Sequence, residues 1–504
     1  MFFHATIILV KKILAAWPFL VILVLALGLR LPLLNGSFWL DEAAQALESA
    51  RPFFQQHLIV NDFQPPFLHY WLHFFLYVSD QAWWLRSWGA LLPGLISIIA
   101  TYCLAKKMFN KPVALTAAIL LATNSLHVFL SQELRPYMWS AAWAALSTLT
   151  LWQLIQARSK SPPKRLLFIW LVLSIFGLYT SYLYPFVFLA QLIILAWQRR
   201  WQAALIGVGV SSLAFLPWLT YFLAQLNAGT TLGTLMPGWT QVVSFDSFKS
   251  IWLTASKFIY GISDLDLNFF YVITVILLAA ALTILAIFFW RKKSQLTAPQ
   301  KSALIFLTIS LILPFLLAWL VSFFVPIIQP KRVIFLLPIF YLLISASAVL
   351  IAQKKARFAL AILPLFLALN FISLFNYYTN PLLQREDWLS LQEKIYRVHN
   401  PATTVALFSY LEPFSPWQWY EERIHFSTGK LTSFSTGTYY LPSDANWQNH
   451  LASITNYETI LLFDYLRDLT DPQRELDTLL QESGYREIGI YDYPNIGFVR
   501  IFQR

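Results

Sequence analysis

The run Ala16-Trp17-Pro18-Phe19-Leu20-Val21-Ile22-Leu23-Val24-Leu25-Ala26-Leu27-Gly28-Leu29-Arg30 passes into Leu31-Pro32-Leu33-Leu34-Asn35-Gly36-Ser37-Phe38-Trp39-Leu40-Asp41-Glu42-Ala43. Crossing hydrocarbon takes about 17–25 mostly apolar residues, so the first part reads as a span over 15–34. The second part places two adjacent carboxylates just beyond its end. Leu31-Pro32-Leu33-Leu34 lacks the small residues of a signal-peptidase site, and the segment reads as an anchor. Working outward, similar apolar runs recur at 87–105, 112–130, 137–156, 166–182, 184–198, 203–223, 269–290, 303–323, 333–352 and 357–376. The sequence thus predicts a polytopic α-helical membrane protein with about 11 transmembrane helices.

Composition excludes the other classes. Of 504 residues, 58% are hydrophobic and 12% are charged, whereas soluble domains carry about 25% charged residues. Disorder needs low hydrophobicity and is excluded more firmly. The single cysteine, Cys103, allows neither an intramolecular disulfide nor a Cys-based zinc site.

The net charge of +11 reports orientation. With the N-terminus cytoplasmic, alternate short loops hold Lys11, Lys12, Lys106, Lys107, Lys111, Arg158, Lys160, Lys164, Arg165, Arg199, Arg200, Arg291, Lys292, Lys293, Lys301, Lys354, Lys355 and Arg357, with no Asp or Glu among them. That is the positive-inside pattern, and it predicts a multi-pass protein of the cell (inner) membrane. Spread over short loops, the basic residues form no nucleic-acid patch.

Two long outer loops follow, 35–86 and 224–268, within a membrane domain of residues 1–376. Asp41–Ala50 and Phe67–Val78 read as interfacial helices of the first loop. Residues 377–504 carry 16 of the 25 acidic residues and read as a small extracytoplasmic α/β domain. Its expected elements are a helix over Gln384–Val398, strands at Thr403–Ser409 and Thr459–Phe463, a helix over Pro472–Glu482, and a hairpin formed by Arg486–Asp492 and Ile496–Phe502. It reads as a packing or acceptor-guiding domain, with carbohydrate binding through Trp417, Trp419, Tyr439 and Tyr440 as the other reading.

Four patches carry candidate chemistry, each with a plainer reading beside it. Asp41 and Glu42 suit a helix N-terminus, or a general base and its helper next to a lipid-borne substrate. Glu133 and Arg135 in Ser131-Gln132-Glu133-Leu134-Arg135-Pro136-Tyr137 are charges at a membrane edge, either a local ion pair or functional groups. Lys331-Arg332 is an adjacent basic pair on the outer side, suited to headgroups or to a bound lipid phosphate. His69 and His73 share a helix face, but no third ligand is evident, and packing is the safer reading.

In this order and on this topology, the patches resemble the GT-C glycosyltransferase superfamily, in particular the bacterial relatives of protein O-mannosyltransferases, which include aminoarabinose and galacturonosyl transferases. The resemblance rests on Leu40-Asp41-Glu42-Ala43, Gln64-Pro65-Pro66, Leu85-Arg86, Ser131–Tyr137, Lys331-Arg332 and Glu386-Asp387-Trp388, and it covers essentially the whole chain. It implies an inverting transfer from a polyprenyl-phosphate sugar to an extracytoplasmic acceptor. Asp41 would be the general base and Glu42 its assistant. Lys331, Arg332 and Arg135 would hold the leaving phosphate, and Gln64, Glu133 and Tyr137 would contact substrate. Relatives often have His-Pro-Pro where this chain has Gln64, and Gln cannot shuttle a proton at neutral pH. The resemblance names no metal ligands and leaves a divalent-cation requirement open. The outer loop 224–268, with Gly229, Gly233, Gly238 and Trp239 ahead of an amphipathic stretch from Val242 to Tyr260, reads as a lid over the donor or as a static interfacial helix. The alternative function is a transporter or flippase of lipid-linked sugars, against which stand the lack of an internal repeat and the surface position of the charges.

Overall fold

The computed structural model describes residues 16–59, 62–157, 162–235, 247–262, 293–325, 327–353, 357–409, 414–421, 432–435 and 454–504, with four isolated helical positions between 262 and 293. Among the described residues, Ala82–Met108, Trp201–Thr231, Ala298–Val321, Ile334–Gln353 and Ala359–Thr379 are long and apolar enough to cross a membrane. Shorter apolar helices, Ala16–Gly28, Lys111–Thr123 and Tyr184–Trp197, fall on three further expected spans. Tyr137–Gln156 and Lys164–Leu178 complete the described helices of the bundle. The expected span 269–290 lies outside the described residues apart from three helical positions.

Burial sorts these helices. Ile334–Gln353 is 83% buried and lies at the centre, whereas Trp201–Thr231 is 28% buried and shows Leu205, Leu213 and Leu216 outward, as a helix facing lipid does.

The expected continuous span 112–130 is broken. Lys111–Thr123 ends at Asn124, whose side chain caps a new short helix, Ser125–Leu130, by accepting from the His127 N–H at 3.0 Å. The Asn124 amide also donates to the Tyr341 hydroxyl at 2.9 Å. Asn370 ties the same break by donating to the Leu120 carbonyl and to Thr123 Oγ1. A helix can break at this depth because buried side chains take up the freed backbone groups. Apolar periodicity alone does not reveal it.

The amphipathic part of the second long loop forms Ser247–Tyr260, and residues 236–246 ahead of it lie outside the described residues. The helix stops at Gly261, whose φ is +68°. A Cβ there would collide with Ser125 Oγ, so glycine is required. Ser125 Oγ then accepts from the Ile262 N–H at 2.8 Å, which pins this end of the helix to the bundle.

Two helices and four strands of the C-terminal segment fall on expected elements, and the strand Thr432–Ser435 and the helix Ser415–Glu421 were not expected. Trp388–Val398 is a helix, followed by β1 (Thr404–Phe408), β2 (Thr432–Ser435), β3 (Thr459–Phe463), the helix Glu475–Glu482, β4 (Arg486–Tyr493) and β5 (Gly497–Gln503). The sheet order is β2-β1-β3-β5-β4; β1 runs parallel to β2 and β3, and the β4–β5 hairpin adds antiparallel to β3. β1 is buried throughout, as a parallel central strand should be. Trp417 and Trp419 are buried in the core between this sheet and the helices, so neither is a platform for sugar; Tyr439 and Tyr440 lie outside the described residues.

One apolar cluster joins the α/β layer to the bundle: Phe38, Leu68, Leu85 and Leu134 pack in continuity with Trp388, Phe408, Trp417 and Phe463. The joint is also polar. The Tyr420 hydroxyl accepts from the Phe38 N–H at 2.6 Å and from Ser37 Oγ at 3.2 Å, and Ser37 Oγ accepts from the Leu389 N–H. Tyr420→Phe should leave the Phe38 N–H buried and unpaired, at a cost of about 1–3 kcal/mol. The expected result is a lower melting temperature and faster amide exchange at residues 37–40, measured by hydrogen–deuterium exchange mass spectrometry.

Candidate active site

The site is built around the first turn of the helix Leu40–Ser49, where Asp41 is half-buried and Glu42 fully buried. Adjacent residues on a helix point about 100° apart, so one carboxylate enters the protein and its neighbour does not. Glu42 meets Arg86 in a two-point ion pair, Nε to Oε1 at 2.8 Å and Nη2 to Oε2 at 2.5 Å, with both side chains at 0% exposure. Arg86 also donates to the Leu34, Gly36 and Ser37 carbonyls, and Glu42 Oε1 accepts from the Leu134 N–H at 2.6 Å. Burial works to raise the Glu42 pKa, and Arg86 outweighs it and holds the carboxylate below its ordinary range.

Asp41 has no hydrogen bond or ion pair to its carboxylate among the described residues, yet it lies within electrostatic reach of Arg135, Lys331, Arg332, Glu133 and Glu386. Arg135 Nη1 donates to the Asp41 carbonyl at 3.4 Å. Lys331 places its ammonium over the rings of Trp39 and Tyr137, at 5.4 and 5.7 Å. Burial works against the charge on Lys331, but Tyr137, Glu133 and Asp41 outweigh it and raise its pKa. Arg332 is lowered by burial, and its Nη1 donates to the Ile327 carbonyl at 3.3 Å. Asp41, Glu133, Arg135, Tyr137, Lys331 and Arg332 thus come together from three separate stretches of sequence.

Gln64 does not share this space; it stands behind Arg135, where its amide reaches Asp62 and Gln45 Oε1. Asp62 pairs with Arg135 at 3.2 Å and with His69 Nε2 at 3.0 Å. Burial works to raise Asp62, but Arg135 and then His69 bring it down to about 2. Glu48, nearby, is pushed up to about 8 by burial and by Asp62. Glu48, Asp62 and His69 each offer a ligand atom within 4.8 Å of the others, a set that fits a divalent cation in size and chemistry. His73 is turned to the Ser49 carbonyl and Tyr77, so it is no partner of His69 here.

Two site residues come from the segment after the last membrane helix. Arg385 stacks over Phe129 at 4.2 Å, donates to its carbonyl, and approaches Glu133 at 3.6 Å and Glu42 at 3.8 Å. Nothing in its sequence context marks it, because its partners are remote in the chain. Glu386 accepts from Trp388 Nε1 at 2.6 Å and from the Tyr465 hydroxyl at 2.7 Å. Burial pushes its carboxyl up to about 7, although Trp388, Tyr465 and the Leu40 N–H all favour its charge. Glu133 is likewise raised by burial despite Arg385 and Lys331.

Two outcomes test this geometry. Replacing Arg86 by Lys keeps the charge but loses the fork and most of the carbonyl bonds. A cost of about 3 kcal/mol or more is expected, read as a large drop in melting temperature. For Glu386 the folded pKa of about 7 lies above the ordinary 4.5, so the folded chain binds the proton more tightly. Its stability is full below about pH 4.5 and falls as pH rises towards 7, by on the order of 2–3 kcal/mol. Glu386→Gln should flatten that fall in unfolding curves recorded between pH 4.5 and 8.

Comparison with known proteins bears on the fold. Residues 63–223 match the family described as dolichyl-phosphate-mannose-protein mannosyltransferase. ArnT from Cupriavidus metallidurans bound to undecaprenyl phosphate superposes with a TM-score of 0.56 at 11% identity, covering 97% of each chain. Its apo form gives 0.55 at 11% identity over 98% of each chain. The oligosaccharyltransferase of Archaeoglobus fulgidus, in complex with Zn and sulfate, gives 0.51 at 14% identity, over 96% of this chain and 72% of that one. No curated protein matches in sequence.

Proposed function

We propose that this chain, a multi-pass membrane protein of the GT-C glycosyltransferase superfamily, moves a sugar from a polyprenyl-phosphate donor to an acceptor outside the cytoplasm, with inversion at the anomeric carbon. The observation that carries the reading is Asp41: a carboxylate without a dedicated protein partner among the described residues, facing Lys331, Arg332 and Arg135. The likeness to ArnT bound to undecaprenyl phosphate supports a donor of this class.

The chemistry is a direct displacement. Asp41 takes the proton from the acceptor hydroxyl as its oxygen bonds to the anomeric carbon. The bond from that carbon to the phosphate oxygen breaks on the opposite face, and the charge that develops on the lipid phosphate is met by Lys331, Arg332 and Arg135. These cations are held before substrate arrives, so little reorganisation opposes the step. Glu42 acts through Arg86 by fixing the turn that aims Asp41. Glu133 and Tyr137 border the sugar, and Gln64 holds Asp62 and thereby Arg135. A divalent cation held by Glu48, Asp62 and His69 would supply positive charge and stiffness to the first loop. The active face lies outside, as the charge distribution over the loops implies, and the helix Ser247–Tyr260 borders the donor as part of a lid.

Transfer from a labelled polyprenyl-phosphate sugar to extracted envelope acceptors tests the assignment. Asp41→Asn should lower kcat by about 10²–10⁴-fold with donor binding retained. Lys331→Ala and Arg332→Ala should weaken donor binding as well as turnover. Undiminished transfer by Asp41→Asn overturns the base assignment, and movement of labelled lipid across the bilayer without transfer would establish a flippase instead.

A further inference from the structure

The transfer step described above draws on residues of the membrane domain alone, yet the C-terminal segment grips the turn that carries Asp41 from both sides. Arg385 brings its Nε to 3.8 Å from Glu42 Oε2. Glu386, the next residue, lies close enough to the Leu40 N–H for that group to favour its charged form. Leu40 and Glu42 are the two sequence neighbours of Asp41, so the dipeptide Arg385-Glu386 brackets it. The first N–H groups of a helix have no partner within the helix, and Trp39 at the N-cap offers no side-chain acceptor to Leu40–Ser49. Glu386 brings negative charge to that end from a remote part of the chain, where the helix dipole favours it. We propose that Glu386 is a positioning residue for the transfer: it holds the first turn of Leu40–Ser49, and with it the direction of Asp41, which makes the C-terminal layer part of the catalytic unit. This role rests on Asp41 being the base of the proposed reaction.

The carboxylate is itself held by the core of that layer. Trp388 Nε1 donates to Oε2 at 2.6 Å, and the Tyr465 hydroxyl donates to Oε1 at 2.7 Å. The two donor rings meet edge to face at 5.2 Å, and Trp388, 1% exposed, packs on Phe414 at 5.0 Å. Tyr465 stands just beyond β3, so the place of Glu386 follows the place of the sheet. A carboxylate here is not the easiest filler for the joint, because Asp41 repels it. What a carboxylate offers is acceptors without a hydrogen of its own. An amide keeps one acceptor oxygen and turns an N–H₂ donor towards the remaining donors. Tyr420 and Leu389 grip the same turn at Phe38 and Ser37, so loss of Glu386 loosens the aim of Asp41 without releasing the turn.

The test is transfer from a labelled polyprenyl-phosphate sugar by the full-length protein in detergent. The assay runs at pH 8, above the Glu386 pKa of about 7, so the parent is ionised. Glu386→Gln should lower kcat by roughly tenfold or more, as misplacement of a reacting group does. Its KM for donor and for acceptor should stay within about twofold, since no contact with either is removed. Amide exchange in a peptide spanning residues 38–42 should quicken. Tyr465→Phe should act in the same direction but less. Leu480→Ala, on the opposite face of the same sheet, should lower the melting temperature and leave kcat at the assay temperature unchanged. Added to Asp41→Asn, Glu386→Gln should cost little more, because the base it aims is gone. An unchanged kcat in Glu386→Gln, an equal loss in Leu480→Ala, or full additivity with Asp41→Asn overturns the proposal. Full transfer by Asp41→Asn alone would instead remove the base reading, and the exchange of residues 38–42 in Glu386→Gln would still report whether Glu386 holds the turn.

Discussion

The buried pair of Glu42 and Arg86 is the constraint around which this end of the molecule is arranged. Arg86 gathers three carbonyls of the turn between the first membrane helix and Leu40–Ser49, and Glu42 accepts from the Leu134 backbone. Three stretches remote in sequence are thereby held to one point. The desolvation of two charges offsets much of their attraction, so such a pair contributes more to geometry than to net stability. Its consequence is Asp41: with Glu42 locked inward, the neighbouring carboxylate is aimed at the cluster of cations.

The electrostatics beyond that pair divide into two kinds. Glu42–Arg86 and Asp62–Arg135 are closed pairs at hydrogen-bond distance. Asp41, Glu133 and Lys331 stand near opposite charges without closing on them as tightly; Glu133 keeps its nearest cation, Arg385, at 3.6 Å. Charges held apart in a partly dry pocket keep their capacity to meet an incoming group, since little of their interaction is already spent internally. The C-terminal layer takes part in this. Arg385 and Glu386 enter the pocket from the segment that follows the last membrane helix, and the layer's apolar core is continuous with that of the first loop.

How much was legible follows from the range of each interaction. The described membrane helices, the two helices of the first outer loop and four of the five C-terminal strands depend on periodicity and on short-range turn chemistry, so they emerge from sequence with shifts at the ends, whereas β2 (Thr432–Ser435) did not. The break at Asn124 did not, because an asparagine in an apolar run looks tolerable until Tyr341 and Asn370 are seen to hold it. Asp41, Glu133, Arg135 and Lys331-Arg332 stood out because charges are expensive at a membrane edge. Asp62, Glu48 and Arg385 lie in polar surroundings where a charge is ordinary, and only their partners give them meaning. His69 was read beside His73 from helical spacing, yet its partners come from the other helix and the connection.

The sequence by itself determined the helical, membrane class of the protein and singled out charged residues worth following, because hydropathy, charge bias and helical period are local properties of the chain. The tertiary structure alone decided which of two adjacent carboxylates is buried and which faces the cations, that Trp417 and Trp419 belong to a core, and that Glu48, Asp62, Gln64 and His69 converge. Pairing energies fall off within a few ångströms, and residues far apart in sequence reach those distances only through the fold.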